Sequence, residues 1–258
     1  MKPKIIIAAL LATVAMLGSA SAADLSRPMY TKAPPPPPLY NWSGFYVGVN
    51  VGGSWGRQDT TFTSTLPAAA VTNSNHLDGV IGGGQIGYNW QGMGSPWVFG
   101  LEADIQGSGQ KADGAYALPA VFIVGAGTFP PTAINYEDKL EWFGTVRGRV
   151  GYAVGDQGRW LPYITGGLAY GDGKVSGTGS DAAPFLAIPV AFNQTNTYVG
   201  WTLGAGLEWA FADKWSAKLE YLYMDLGNGP TIALTPATAF SAGRMTDNIA
   251  RVGVNYHF

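Results

Sequence analysis

From residue 44 onward the chain alternates between apolar and polar positions. In FYVGVNVGGSW, Phe45, Val47, Val49, Val51 and Trp55 share one face, and Tyr46, Gly48, Asn50, Gly52 and Ser54 share the other. WVFGLEADIQ sets Trp97, Phe99, Leu101, Ala103 and Ile105 against Gly100, Glu102, Asp104 and Gln106. LEWFGTVRGRVGY sets Trp142, Val146, Val150 and Tyr152 against Glu141, Thr145, Arg147 and Arg149. WTLGAGLEWAF and WSAKLEYLY continue the pattern, with Glu208, Lys218 and Glu220 on the polar side. In NIARVGVNYHF the apolar set is Ala250, Val252, Val254, Tyr256 and Phe258, with Arg251 opposite. Period two is the mark of a strand with one apolar face. Eight such segments are expected, near 44–56, 78–90, 97–107, 139–154, 160–174, 197–211, 215–226 and 246–258.

The connections alternate as well. Short turns (QGMGSP, GDQG and ADK) follow the second, fourth and sixth segments. Loops of roughly 15 to 30 residues follow the others, the arrangement of an outer-membrane barrel with short periplasmic turns and long outer loops. Tryptophan placement agrees. Trp90, Trp97, Trp160, Trp209 and Trp215 flank the short turns, while Trp55, Trp142 and Trp201 lie towards the long loops and Trp42 precedes the first strand. Indole rings favour the headgroup level, so these positions predict two membrane girdles. The fold expected is all-β, an eight-stranded antiparallel up-and-down transmembrane β-barrel. The final strand must then pair with the first, because open sheet edges are not tolerated in lipid.

Composition narrows the compartment and the chemistry. Charged residues make up 12% of the chain, about half the usual share, while aromatic residues reach 13% and there are 37 glycines. With no cysteine, disulfides and cysteine-held zinc are excluded. A net charge of −2 gives no field for nucleic acid. Lys2 and Lys4, the apolar run 5–17 and Ala20-Ser21-Ala22 read as a signal peptide over 1–22. Residues 23–42 follow as a periplasmic spacer. Its prolines 34–38 favour extended polyproline II, with a reach on the order of 60 Å at ~3.1 Å per residue. Residues 43–258 form the barrel.

The inward charges carry the main question of function. Glu102, Asp104, Glu141, Glu208 and Glu220 share the polar side with Arg147, Arg149, Lys218 and Arg251. An eight-stranded barrel is just wide enough for side chains to fill, and near-balanced charges in so narrow a space are expected to pair. The alternative is a selectivity filter, which favours one sign of charge. Gly82, Gly84 and Gly87 fit G-x-G-x-x-G but lie within a strand, where no helix N-terminus follows to hold a pyrophosphate. Ser74, His76 and Asp78 lie close together at the outer rim, whereas His257 lies about a membrane thickness away (~25 Å), so a hydrolase ranks a distant third. No catalytic, cofactor or metal residues are assigned. The outer loops carry apolar stretches at 66–71, 118–124, 188–192 and 235–240. Val121, Phe122, Ile188, Phe192 and Phe240 within them point to a shared cap or to a contact surface.

NWSGFYVGVNVGG after the proline-rich lead, PYITGGLAYG in the fifth strand and RVGVNYHF at the end resemble the RopB-type surface proteins of alphaproteobacteria. These are small barrels of the broader OmpA-type eight-strand class, and the resemblance covers the chain after the signal peptide. It implies a structural outer-membrane barrel that helps maintain the envelope and presents surface loops, in contact with outer-membrane lipids and lipopolysaccharide. It implies that Val252, Val254, Tyr256 and Phe258 form the signal read by the barrel-assembly machinery. It also implies a tether from Ala23-Asp24 to peptidoglycan. A small pore for ions or solutes is the competing expectation.

Overall fold

The computed structural model describes residues 39–65, 68–155, 157–183 and 186–258. The expected signal peptide and nearly all of the expected spacer, including Ala23 and Asp24, lie outside the described residues. Eight long strands form one antiparallel sheet: β1 (Gly44–Thr65), β2 (Ala68–Gln91), β3 (Trp97–Leu118), β6 (Thr132–Tyr152), β7 (Trp160–Ala183), β8 (Leu186–Ala212), β9 (Trp215–Asn228) and β11 (Thr238–His257). Each pairs with the next in this order. β11 then returns to β1, in register from Tyr46 opposite His257 to Ser64 opposite Thr238. The ring is therefore closed, and backbone groups that an edge would leave bare in lipid are paired. Two additions sit at the outer end. β4 (Val121–Ile123) and β5 (Gly127–Phe129) make a separate hairpin, and β10 (Thr231–Thr235) pairs with β11.

The strands are longer than the alternation alone suggested. β1 runs 22 residues, β7 24 and β8 27, well beyond what a bilayer crossing needs. Only residues 66–67 separate β1 from β2, and only 184–185 separate β7 from β8, so the expected long loops there are largely strand. The cause is packing. Phe62, Tyr116, Ile134, Tyr136, Val175, Phe240 and Ala242 bury together inside the outer extension, with Val71, Leu118, Val190, Phe192, Ile232 and Leu234 against them. Continued pairing satisfies the backbone while this second core forms.

Inside and outside otherwise follow the alternation. Val47, Val49 and Val51 face outward with Phe99, Leu101 and Ile105, while Tyr46, Asn50, Glu102, Asp104 and Gln106 are buried. Glu141 departs from it. The β6–β7 register shifts between Leu140 and Trp142, so the inward set passes from even to odd positions, and Glu141 is left exposed on the outer surface. Glu141 is therefore not a lumen residue. A bulge of this kind leaves no mark in a period-two pattern.

Candidate functional site: an ion-paired lumen between two plugs

At membrane depth the barrel interior holds four acids and four bases. Glu102 accepts hydrogen bonds from Lys218 Nζ at 2.9 and 3.0 Å, from Tyr46 Oη at 2.7 Å, and from Arg147. Asp104 accepts from Arg147 and Arg251 at 2.9 Å each and from Thr145 at 2.8 Å. Glu220 pairs with Arg251 at 2.6 Å and Arg147 at 3.1 Å, and accepts from Tyr163 at 2.9 Å. Glu208 pairs with Arg149 at 2.7 Å and also accepts from Ser216 at 2.5 Å and Asn255 at 2.7 Å. These eight charged side chains are at most 2% exposed. Their charges balance, as buried ions require.

Every strand of the ring supplies a member. β3, β6, β8, β9 and β11 bring the charges. β1 brings Tyr46, β7 brings Tyr163, and β2 brings Gln85, which donates to Asn255 at 2.5 Å. The Arg149 guanidinium lies over the rings of Tyr46 and Tyr163, 5.3 and 4.6 Å from their centroids. These tyrosines fit because glycine stands opposite each, Gly87 across from Tyr46 and Gly206 across from Tyr163, where a Cβ would strike the ring. Alternation put these eight charges on one face, with Glu141 wrongly among them, and gave no reason to single out the two tyrosines. The signal was a tyrosine on the polar face with a glycine in the neighbouring strand.

Both ends of this layer are closed. On the periplasmic side Trp42 is fully buried among Val98, Leu161 and Ala210, and its Nε1 donates to the Gly158 carbonyl at 2.8 Å. Tyr40 and His257 meet it edge-on. Trp42 is thus a plug at the mouth, and the boundary at residue 43 falls inside the packed unit. His257 is buried, with Nε2 3.0 Å from Ser216 Oγ and 3.5 Å from Glu208. On the outer side Leu77, Ile81, Leu140, Phe143, Leu222, Met224 and Ile249 form an apolar layer, followed by the aromatic cap. Within the outer extension, four residues beyond Trp142, Asp138 is fully buried and both carboxylate oxygens lack a well-aligned hydrogen bond. That burial pushes its carboxyl up to about 7, with Gln58 and Tyr198 nearby and no ion-pair partner among the described residues.

Trp90, Trp97, Trp160, Trp209 and Trp215 are exposed near the short turns, with Trp160 stacked on Trp209 at 5.3 Å. Trp55 and Trp201 are exposed towards the outer end beside Tyr221 and Tyr223, and Trp142 is half-buried beside Tyr170. Val252, Val254 and Phe258 point outward, and Tyr256 packs between Trp215 and Phe258. Phe192 and Phe240 join the cap, Ile188 and Val121 are half-buried outside it, and Phe122 is 69% exposed on the β4–β5 hairpin. Ser74 donates to Asp59 at 2.6 Å, and His76 is exposed on β2.

This is the construction of a transmembrane barrel of the bacterial outer membrane: a closed antiparallel ring, an apolar outer band and aromatic rims. A family profile described as the outer membrane protein beta-barrel domain matches residues 9–258. The chain belongs to this family and resides in the outer membrane. It is 37% identical over 98% of its length to the 31 kDa outer-membrane immunogenic protein of Brucella melitensis, covering 97% of that protein. It is 32% identical to the 22 kDa outer membrane protein of Rhizobium leguminosarum, over 86% of this chain and 85% of the relative. Among solved structures it is similar to the outer membrane protein OprG from Pseudomonas aeruginosa, at 12% identity and TM-score 0.43, over 85% of this chain and all of that one.

Proposed function

We propose that the protein is a structural outer-membrane barrel with a closed lumen, which supports the envelope and presents its outer extension at the cell surface. The observation that carries this is the charge-balanced layer around Arg147 and Glu102, buried between the Trp42 plug and the apolar layers above. A pore for ions needs a wetted path with sites that bind weakly; here the ions bind one another. No catalytic role is inferred. In the same proposal the C-terminal stretch offers Val252, Val254, Tyr256 and Phe258 to the assembly machinery, and Ala23-Asp24 joins the barrel to peptidoglycan as the family resemblance implies. Liposome swelling tests the closed lumen. Vesicles carrying the refolded protein should swell in small sugars no faster than empty ones, and swelling that rises with protein content would refute it. The tether is tested separately on boiled, detergent-washed sacculi digested with muramidase and trypsin. A muropeptide joined to a peptide beginning Ala23-Asp24 supports it, and a free Ala23 amine with full release by boiling refutes it.

A further inference from the structure

On the outer wall of β3, β6 and β7, three lysines stand side by side. Lys111 is opposite Lys139, and Lys139 is opposite Lys174. All three belong to the outward set, since Ala112, Asp138, Leu140 and Val175 beside them are buried. Adjacent strands lie ~4.8 Å apart, and like charges directly opposite one another repel. Lys139 pairs with Glu137, whereas Lys111 and Lys174 have no ion-pair partner within 4.0 Å among the described residues. Glu137 also feels both of them, and Asp78, Asp113, Glu141 and Asp172 complete the charged groups around the row.

The level of the row is informative. The outward face of β6 and β7 leaves the apolar band at Trp142 and Tyr170, whose rings meet edge-on. Lys139 follows Trp142 by three residues, ~10 Å along the strand, at the height where headgroup anions lie. Immediately above the lysines the wall is concave. A saddle of about 920 Å³ is lined by Asp113, Asn135, Glu137, Ser176, Thr178 and Asn193 among others. Amides, hydroxyls and carboxylates of this kind suit sugar hydroxyls. From the bilayer outward the wall therefore presents an aromatic rim, then cations, then a hollow whose polar groups alternate with Ala115, Tyr136, Ala191 and Phe192.

We propose that this wall binds a phosphorylated glycolipid of the outer leaflet, its phosphate on Lys111 and Lys174 and its sugars in the saddle above. A phospholipid would satisfy the lysines and leave the saddle unused. A free phosphate would use neither the rim nor the saddle.

The test uses the full processed barrel in phosphatidylcholine nanodiscs, titrated with deep-rough lipopolysaccharide as the probe. K111Q/K174Q leaves the Lys139–Glu137 pair in place and should bind about tenfold more weakly, the scale of two half-exposed charge contacts. Enzymatically dephosphorylated probe should bind the wild type as weakly as the native probe binds the variant. N193L, which fills the saddle and spares the lysines, should also weaken binding. Unchanged heat-modifiable mobility on gels verifies folding of each variant. Equal binding by K111Q/K174Q, or an equal loss in R244Q on β11 at the opposite side of the ring, overturns the site. Competition by phosphatidylglycerol overturns the glycolipid in favour of any anionic lipid, and competition by inorganic phosphate shows an adventitious ion only.

Discussion

Glu102 and Arg147 stand directly opposite one another on β3 and β6, and their ion pair is the point at which the lumen network joins. Through Glu102 it reaches Lys218, and through Arg147 it reaches Asp104 and Glu220, which share Arg251. Removing either partner leaves ions buried without compensation, a cost of several kcal/mol.

Glu102→Gln should therefore destabilise the barrel by about 3–5 kcal/mol, because Arg147 and Lys218 lose a charged acceptor together. Urea unfolding of the refolded protein in detergent, followed by tryptophan fluorescence, measures it. Glu141→Gln should change stability by less than about 0.5 kcal/mol, since Glu141 is exposed beside its bulge. Similar effects from the two substitutions would show that the network does not hold the barrel together.

The Trp42 plug is a separate layer from the charges. Trp42→Ala removes a buried indole and its hydrogen bond to Gly158, with an expected loss of about 3–5 kcal/mol. It should not make the barrel leaky to small sugars, because the charged layer above stays intact. Swelling of vesicles carrying this variant would place the barrier in the plug instead.

The aromatic cap couples strands that are far apart in sequence. Phe192 contacts Phe240 at 5.4 Å between ring centroids, and Tyr136 stacks on Tyr116 at 5.2 Å. Phe192→Ser should raise protease cleavage in outer connections other than its own. Phe122→Ser, on the exposed hairpin, should affect no connection but its own. Limited proteolysis of intact cells with peptide mapping distinguishes the two; sensitivity confined to the Phe192 connection would dismiss a shared cap.

Asp138 predicts a pH dependence. Its carboxyl is raised to about 7 in the folded protein, against about 4 in the unfolded chain, so the folded state holds the proton more tightly. The penalty is absent below pH 4, grows as pH rises from 4 to 7, and is complete above 7. Asp138→Asn should stabilise the barrel at pH 8 by on the order of 4 kcal/mol and have little effect at pH 4. An equal effect at both values would mean that Asp138 is not buried as a neutral acid.

The barrel was legible in the sequence because a lipid-facing wall and a packed interior impose opposite demands on alternate residues. Phe99 and Leu101 against Glu102 and Asp104 state that demand within a few positions. Glu102, Asp104, Arg147, Arg149, Glu208, Lys218, Glu220 and Arg251 could be assigned to the lumen for the same reason. Glu141 could not, because one inserted residue between Leu140 and Trp142 reverses the face without altering composition. The strand ends were illegible for a different reason. The stretches around Val71, Val190 and Phe240 look like apolar loops until the four outer connections meet and supply one another with a core. In the sequence Trp42 only precedes the first strand. Only the packed mouth, with Val98, Leu161 and Ala210 around it, makes it a plug.

In the proposed function, ions that neutralise one another close the lumen. Planar-bilayer recording of the purified, refolded wild-type protein tests it most directly. The closed lumen predicts no steady conductance above that of the bare bilayer, in either polarity. A stable, open, weakly selective channel in the wild type would contradict it.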